Sequence, residues 1–371
     1  MHFLIAPNSF KNNLPSWEVA DAIEKGIWSV NPSATILKRP IADGGDFTME
    51  LLVRALNGTK KSFHANDPLG RSTTVEIGFI EKGLTAIIEM ASISGLRLLT
   101  PEEYDPMKAS SFGTGQLIKH AIDRGAKEIV LTIGGSATVD GGIGLLSALG
   151  FRFISNSGNE VELNGSGLSE IVSIDTSEVD RSVMQCQYTV LCDVENYLLG
   201  DFGAAAVFGP QKGADQQMVK CLNHGLKRLN DSTIKHLGID MSDLKSGGAA
   251  GGVGATMVVF LSANLVSGAE YVIKTLGIEK EIQDIDYVIT AEGRIDRQTQ
   301  DGKAPAVIAK LAATFDVPTI ALSGQVEHGL KTELFKAIFP IINEPATLET
   351  AFEMTEKNLH RTAAQIASLL E

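Results

Sequence analysis

The segment from Ile129 to Leu149, IVLTIGGSATVDGGIGLLSAL, constrains the fold more than any other part of the chain. Its apolar start predicts a strand over Ile129–Ile133, and Ile143–Leu149 has the composition of a helix. The glycine-rich turn between them lets backbone N–H groups approach an anion closely. Further glycine-rich turns occur at 247–254 and 293–303. Several such turns beside Asp and Lys indicate an enzyme that transfers phosphoryl groups.

Elsewhere, short apolar segments alternate with amphipathic ones, which predicts α/β architecture with mainly parallel sheets. We expect further strands at Phe3–Ala6, Ala86–Met90, Tyr188–Cys192, Tyr287–Thr290 and Thr319–Ser323. We expect helices at Trp17–Val30, capped by Ser16, at Gly115–Arg124, at Gln217–Leu229, and as one helix or a pair over Thr347–Leu370. A chain of 371 residues is too long for one ordinary core, so two domains are expected.

The composition excludes several classes of protein. The formal net charge of −13 argues against nucleic-acid and anionic-membrane binding, which require a basic surface. The three cysteines, Cys186, Cys192 and Cys221, have no zinc-site spacing and are typical of a reducing cytoplasm. The N-terminal segment has no signal-peptide pattern, and no run of about 18 apolar residues predicts a membrane span. We therefore expect a cytoplasmic protein.

The usual nucleotide and hydrolase motifs are absent from the sequence, which contains no GxxxxGK[ST], GxGxxG, HExxH or GxSxG. Metal-dependent hydrolysis and Ser-His-Asp chemistry are thus disfavoured. What remains is a set of Asp, Lys and Arg residues within glycine-rich turns. Phosphoryl transfer requires this mixture, because cations and backbone N–H groups stabilise the charge on the phosphoryl oxygens. Asp, in turn, holds Mg²⁺ or orients the attacking hydroxyl.

The acidic candidates follow strands or begin turns. Asp193 comes at the carboxyl end of a predicted strand, where ligands bind in open α/β sheets. Asp43 precedes two glycines, although Asp-Gly is also an ordinary turn pair. Glu292, Arg294 and Asp296 follow another predicted strand, and the Arg294 guanidinium suits bidentate binding of a carboxylate or phosphate. A solvated loop remains the alternative for these three residues.

The remaining candidates are lysines, hydroxyls and glycines. Lys11 and Lys212 are lone lysines in turns and could simply be solvated, whereas Lys303 follows a glycine that would let it reach a phosphate. Ser136 and Thr138 could donate to ligand oxygens or cap the following helix. The glycines that could contact nucleotide, or only permit close packing, are Gly134, Gly135, Gly251 and Gly252.

An ordered set of short motifs spans residue 4 to about 325. In chain order the motifs are Asn8–Lys11 (NSFK), Ala42–Gly45 (ADGG), Gly113–Gly115 (GTG), Gly134–Thr138 (GGSAT), Asp140–Gly142 (DGG), Cys192–Val194 (CDV), Phe208–Gly213 (FGPQKG), Ala249–Gly252 (AAGG), Glu292–Asp296 (EGRID), Gln298–Thr299 (QT) and Gly302–Lys303 (GK). Each motif alone is a weak signal, but the ordered set resembles the bacterial type I glycerate kinase family. That resemblance implies transfer of the ATP γ-phosphate to D-glycerate with Mg²⁺, giving 2-phosphoglycerate.

The resemblance also implies a fold. We expect two α/β domains, a flavodoxin-like (Rossmann-like) one with a mainly parallel sheet and an inserted one with a mixed sheet. The first would comprise residues 1–65 plus 280–371 and the second residues 66–279, with the active-site cleft between them. The expected partners are only ATP and D-glycerate, without nucleic acid or membrane, and the protein would be a monomer or homodimer.

Position and resemblance together give the expected site. The catalytic set is Asp193, Asp43, Lys11 and Arg294. The substrate- or nucleotide-binding set is Ser136, Thr138, Gly134, Gly135, Lys212, Gly251, Gly252, Glu292 and Lys303. The expected ligands of Mg²⁺ are Asp193 and Asp296, and the sequence leaves open which Asp acts as base.

Departures from the family pattern leave alternatives open. The family has an acid at Asn8 and glycine at Asn12, Phe47 and Ala291, and the chain also differs at Val139 and Arg297. A kinase for another small hydroxy acid or polyol is therefore one alternative. The second alternative is a catalytically inactive metabolite-binding protein. A nicotinamide dehydrogenase is disfavoured because the dinucleotide fingerprint is absent.

Overall fold

The computed structural model describes residues 1–300 and 302–370. The side chains of Gln300 and of Gln298, which belongs to one of the motifs above, lie outside this description. The strands are β1 (His2–Ile5), β2 (Thr35–Lys38), β3 (Thr59–Asn66), β4 (Ser72–Ile80), β5 (Thr85–Glu89), β6 (Glu128–Thr132), β7 (Arg152–Ser155), β8 (Ile171–Asp175), β9 (Gln187–Leu191), β10 (Asn264–Val266), β11 (Tyr287–Ile295), β12 (Thr319–Val326) and β13 (Ala337–Pro340).

The helices are α1 (Ser16–Val30), α2 (Thr48–Ala55), α3 (Ala91–Ser94), α4 (Phe112–Asp123), α5 (Ile143–Ala148), α6 (Arg181–Gln185), α7 (Ala204–Phe208), α8 (Gln216–Leu237), α9 (Val253–Leu261), α10 (Gly268–Thr275), α11 (Ile278–Glu281), α12 (Arg297–Gln300), α13 (Ala304–Ala313), α14 (Leu348–Glu353) and α15 (Thr355–Leu370). None of the helices in the described residues is both long and apolar enough to cross a lipid bilayer.

The chain divides into two compact units. The terminal unit comprises Met1–Asp43 and Ser267–Glu371, and the central unit comprises Gly44–Val266. The boundaries expected from the sequence, at residues 65 and 279, lie further along the chain in both cases. The expected cleft between two domains stays a prediction.

The terminal unit is built on a fully parallel five-stranded sheet in the order β13-β12-β11-β1-β2. Its central strands are near-continuous apolar runs because helices cover both faces of such a sheet. Val288, Ile289 and Leu322 in these strands are completely buried or nearly so. Strand β11 continues to Ile295, past the expected end at residue 290. Glu292 and Arg294 therefore lie within the last residues of a paired strand, and Asp296 directly follows it.

The central unit contains a six-stranded mixed sheet in the order β10-β9-β6-β5-β4-β3. Strands β10, β9, β6 and β5 are parallel, and β4 and β3 continue the sheet antiparallel. The register pairs Glu89 with Thr132 and Thr132 with Leu191, so three parallel strands end in one row. The fold class, with one parallel and one mixed sheet, is as expected from the resemblance.

Local differences from the expected elements have physical reasons. Ser16 is the first residue of α1 rather than its cap, because Pro15 takes the N-cap position in an extended conformation, without a side-chain cap. Helix α8 starts at a cap in which the Asp215 side chain accepts from the N–H of Met218, and it ends at the left-handed Gly238. Helix α8 therefore extends to Leu237, eight residues past the end at Leu229 that the apolar residues of the sequence predicted. The closing segment is a helix pair, α14 and α15.

Candidate functional site

A first group of the expected residues lies at the carboxyl-terminal ends of the strands of the terminal unit. Asn8 follows β1, is 1% exposed, and is fixed by its N–H, which donates to the Ala291 carbonyl at 2.8 Å. The Asn8 Nδ2 then donates to Asp43 Oδ2 at 3.3 Å. Lys11 Nζ lies 3.7 Å from the same carboxylate oxygen. The structure thus brings two of the expected catalytic residues, Lys11 and Asp43, into an ion pair.

Glu292 is the buried carboxyl of this group, with 5% of its surface exposed. Burial raises the pKa of Glu292 to about 7, an effect that the nearby Lys303 opposes and the Asp43 carboxylate reinforces. The Thr299 hydroxyl donates to Glu292 Oε2 at 3.4 Å. A carboxyl with such a pKa changes its charge near neutral pH, as is typical of functional sites.

Asp296 lies at the centre of the remaining charges. Arg294 Nε lies 3.2 Å from Asp296 Oδ2, and Lys303 Nζ lies 3.7 Å from Oδ1. The N–H of Thr299 donates to Asp296 Oδ1 at 3.2 Å, which holds the carboxylate in place. Arg294 has 59% and Lys303 29% of its side chain exposed, so both cations can reach an anionic ligand.

The carboxylates of the terminal unit can contribute to a magnesium site. Mg²⁺ prefers oxygen ligands and is usually held by one or two carboxylates, with water and substrate phosphates completing its octahedron. The described residues contain no group of three or more acidic, His or Cys side chains that could hold a metal by themselves. Asp296, with Glu292 linked to it through Thr299, fits the partial type of site.

The second group of expected residues lies in the central unit, in the turn after β6. Gly134 and Gly135 are exposed, and the backbone of the turn is paired with the preceding segment, since Leu96 N–H donates to the Gly135 carbonyl at 3.1 Å. Gly95 and Ser136 form an isolated antiparallel bridge. An anion can therefore approach the main chain of a turn whose position is fixed.

Lys212 is buried beneath this turn, with only 2% of its surface exposed. Its Nζ donates to Ser136 Oγ at 2.9 Å and to the Thr138 carbonyl at 2.7 Å. Burial lowers the pKa of the Lys212 ammonium to about 7, and the nearby Asp140 carboxylate opposes that shift. The alternative of a solvated lysine is thus wrong, because the side chain supports the turn from inside.

Asp140 and the glycines of the 247–254 segment also hold this turn. Asp140 is completely buried and accepts from the N–H and hydroxyl of Ser111 at 2.8 and 2.6 Å. Gly251 has a φ of +70°, and a Cβ there would lie 2.2 Å from the Thr138 carbonyl oxygen, so only glycine fits. Gly252 packs against Gly141 in the same way. Direct contact of Gly251 and Gly252 with a nucleotide stays a prediction.

Asp193 lies two residues after the end of β9 and is exposed. It belongs to the central unit, whereas Asp43 and Asp296 belong to the terminal unit. Its expected roles, as catalytic residue and as ligand of Mg²⁺ together with Asp296, therefore stay predictions.

Glu89 is a buried acid that was not among the residues expected from the sequence. This residue ends β5 in the same row as Thr132 and Leu191, and it is 7% exposed. Its Oε1 accepts from the N–H of Met49 at 3.0 Å, and Arg97 Nη2 lies 3.8 Å from Oε2. Burial raises the pKa of Glu89. A signal was available, because an acid closing an apolar strand was the feature that identified Asp193.

Comparison with known proteins agrees with the resemblance over the whole chain. A model of the glycerate kinase family matches residues 3–371. A glycerate kinase of Bacillus subtilis (strain 168) is 41% identical over 379 residues, covering 100% of this chain and 98% of the relative. A glycerate 2-kinase of Escherichia coli (strain K12) is 40% identical over 378 residues, with coverage of 100% and 98%.

A solved structure gives the same result for the fold. The crystal structure of a protein assigned as glycerate kinase 2 from Salmonella typhimurium LT2 matches with a TM-score of 0.89 and 42% identity. The match covers 100% of this chain and 98% of that one. Identity at this level over the full length of several relatives leaves no segment outside the shared fold. The chain therefore belongs to the glycerate kinase family.

Proposed function

We propose that this protein is an ATP-dependent glycerate kinase that transfers the γ-phosphate of ATP to the C2 hydroxyl of D-glycerate, giving ADP and 2-phosphoglycerate. The observation that carries the proposal is the charged group of the terminal unit in a chain of this family. There Lys11, Arg294 and Lys303 surround carboxylates at the end of a parallel sheet. Such cations stabilise the charge of a triphosphate and of a transferring phosphoryl group.

The cations have separable roles in this proposal. Arg294 presents a planar fork that matches a carboxylate, so it binds the carboxylate of glycerate. Lys11 and Lys303 are compact cations, suited to the phosphate chain. All three now contact carboxylates of the protein, at 3.2 to 3.7 Å, and would exchange part of those contacts for the ligand.

In the reaction, the hydroxyl oxygen of glycerate attacks the γ-phosphorus, the bond from the γ-phosphorus to the bridging oxygen breaks, and ADP leaves. Asp193 orients the hydroxyl and accepts its proton. Little proton removal is needed before the bond to phosphorus forms, because the transition state is loose. The exposed backbone of Gly134 and Gly135 contributes N–H groups to the phosphate oxygens.

Magnesium enters this proposal through the carboxylates. Asp296 would hold the ion, with Asp193 as the second expected ligand. When bound, Mg²⁺ neutralises charge on the β- and γ-phosphate oxygens. The proposal therefore includes a requirement for Mg²⁺. Substitution of Asp296 should raise the concentration of Mg²⁺ that the reaction needs.

The test is a steady-state assay of ADP release with ATP and Mg²⁺ over a panel of acceptors. We expect D-glycerate to give a higher kcat/KM than lactate, tartronate or erythronate. If glycerate is turned over no better than these acids, the glycerate assignment is wrong and a kinase for another hydroxy acid replaces it. ATP binding without turnover of any acceptor would instead indicate an inactive metabolite-binding protein.

A further inference from the structure

The hydroxyl of Ser136 has an unused proton. When Lys212 is protonated, the Ser136 oxygen accepts a hydrogen bond from its Nζ at 2.9 Å, and the hydroxyl proton then points away from the ammonium group. Within residues 1–300 and 302–370, the side-chain hydrogen bond found for Ser136 is the one that it accepts from Lys212. Ser136 is only 4% exposed. A nearly buried hydroxyl normally has an acceptor, so this proton is available for a ligand.

Thr138, two residues further along the same turn, has a similar deficit. Its Oγ1 is completely buried and has no hydrogen-bond partner among the described residues. Buried hydroxyls without partners are rare in folded proteins and cost free energy. Thr138 is one such hydroxyl, and it lies two residues from the Ser136 hydroxyl, which accepts a hydrogen bond from Lys212. Together they indicate that the turn is built to donate to an acceptor-rich group, such as a phosphate or a carboxylate.

Lys212 itself cannot serve as the direct contact to that group. Its side chain is 2% exposed, and its ammonium is already directed at Ser136 Oγ and the Thr138 carbonyl. The charged group of the turn that acts on the Lys212 ammonium is the Asp140 carboxylate, whereas the hydroxyls of Ser136 and Thr138 are neutral. A buried cation that donates to a hydroxyl oxygen polarises the O–H bond and makes it a better donor.

We propose that Lys212 is a positioning residue, which fixes Ser136 as a hydrogen-bond donor to an anionic oxygen of a substrate. This inference rests on the proposed function and changes the expected role of Lys212 from ligand contact to support of a ligand contact. The anionic oxygen belongs either to the phosphate chain of ATP or to the carboxylate of glycerate. The shared chemistry is an oxyanion, and the two sources are separated by measuring each ligand.

The test is a double-mutant cycle on ligand binding. Wild type, Ser136→Ala, Lys212→Met and the double variant are titrated by calorimetry with the Mg²⁺ complex of a non-hydrolysable ATP analogue and, separately, with D-glycerate. We expect Ser136→Ala to weaken one of the two ligands about tenfold or more, the usual scale for a hydrogen bond to a charged group. Lys212→Met should weaken the same ligand, and the double variant should be no weaker than the worse single variant.

Two controls keep the cycle interpretable. Lys220→Met removes an exposed lysine of α8 and should leave both affinities unchanged. Ser136→Ala leaves the buried ammonium with one acceptor fewer and should lower the melting temperature, so thermal unfolding checks that the variant is still folded under the conditions of the titration. If Lys212→Met does not fold, Lys212→Gln takes its place in the cycle. Unchanged affinity for both ligands in the Ser136→Ala titration would overturn the proposal.

The failure of this inference is distinguishable from failure of the proposed function. Effects of the two substitutions that add in the double variant would mean that Lys212 and Ser136 act separately, and the inference would be wrong. The kinase assignment would survive that result. Because the titrations need no turnover, they also decide the inference if wild type shows no glycerate-dependent ADP release.

Discussion

Glu292→Gln should remove a pH-dependent contribution to the free energy of unfolding. Burial raises the pKa of Glu292 from its usual 4.5 to about 7. Between these values the folded protein keeps a proton that the unfolded chain releases. The stability contributed by this group is therefore fully present below about pH 4.5 and is lost as the pH rises through about 7. Glutamine carries no such proton and should not show the loss.

The magnitude comes from the size of the pKa shift. A shift of about 2.5 units, from 4.5 to about 7, corresponds to about 3.4 kcal/mol over the full range. Between about pH 5 and about pH 8 the change is about 2.5 kcal/mol, since part of the loss precedes pH 5. Glu292 is 5% exposed, so solvent does not screen most of this effect.

The assay is urea denaturation of wild type and Glu292→Gln at about pH 5 and about pH 8. The free energy of unfolding of the variant, relative to wild type, should rise by about 2.5 kcal/mol on going to the higher pH. Glu353→Gln, at an exposed position in α14, is the matched control and should show no such rise. An equal difference at both pH values, or a fall, would refute the reasoning about Glu292.

Three further substitutions test other parts of the account. Phe47 has a φ of 67°, so Phe47→Gly should be more stable than Phe47→Ala by about 1 kcal/mol in thermal unfolding; equal stabilities would exclude backbone strain there. Asn8→Asp puts a second carboxyl beside Asp43, 3.3 Å from the present amide, and should lower the melting temperature more at about pH 8 than at about pH 5. A uniform change would contradict that. Asp193→Asn should lower kcat about 100-fold or more, and a wild-type kcat would remove Asp193 from the reaction.

The strands and the ordered motifs could be predicted because they are local. The run Ile129–Ile133 and the runs before Asp193 and Glu292 are apolar over four or five residues, and each occurs as a strand shifted or extended by a few positions. Family membership and the fold class followed from motif order and are confirmed. The expected end of a strand at residue 290 thus pointed to Glu292 as a site residue, although β11 extends to Ile295.

The burial of Lys212 could not be predicted, because its cause is not local. The residues Gln211, Lys212 and Gly213 have the composition of a solvated turn, and the contact that buries the lysine is made to Ser136, which lies far away in sequence. The packing of Gly251 against the Thr138 carbonyl could not be predicted either, because these residues are also far apart in sequence. No linker composition marks the unit boundaries, so the bounds expected at residues 65 and 279 differ from those of the two compact units.

The central claim is that ATP phosphorylates the C2 hydroxyl of glycerate, and phosphorus NMR of the reaction tests it most directly. Purified protein with ATP, Mg²⁺ and D-glycerate should produce ADP and one phosphate-ester signal that coincides with added 2-phosphoglycerate. A signal that coincides with 3-phosphoglycerate would correct the position of transfer. ADP formation without any glycerate ester, or no glycerate-dependent ADP, would contradict the account.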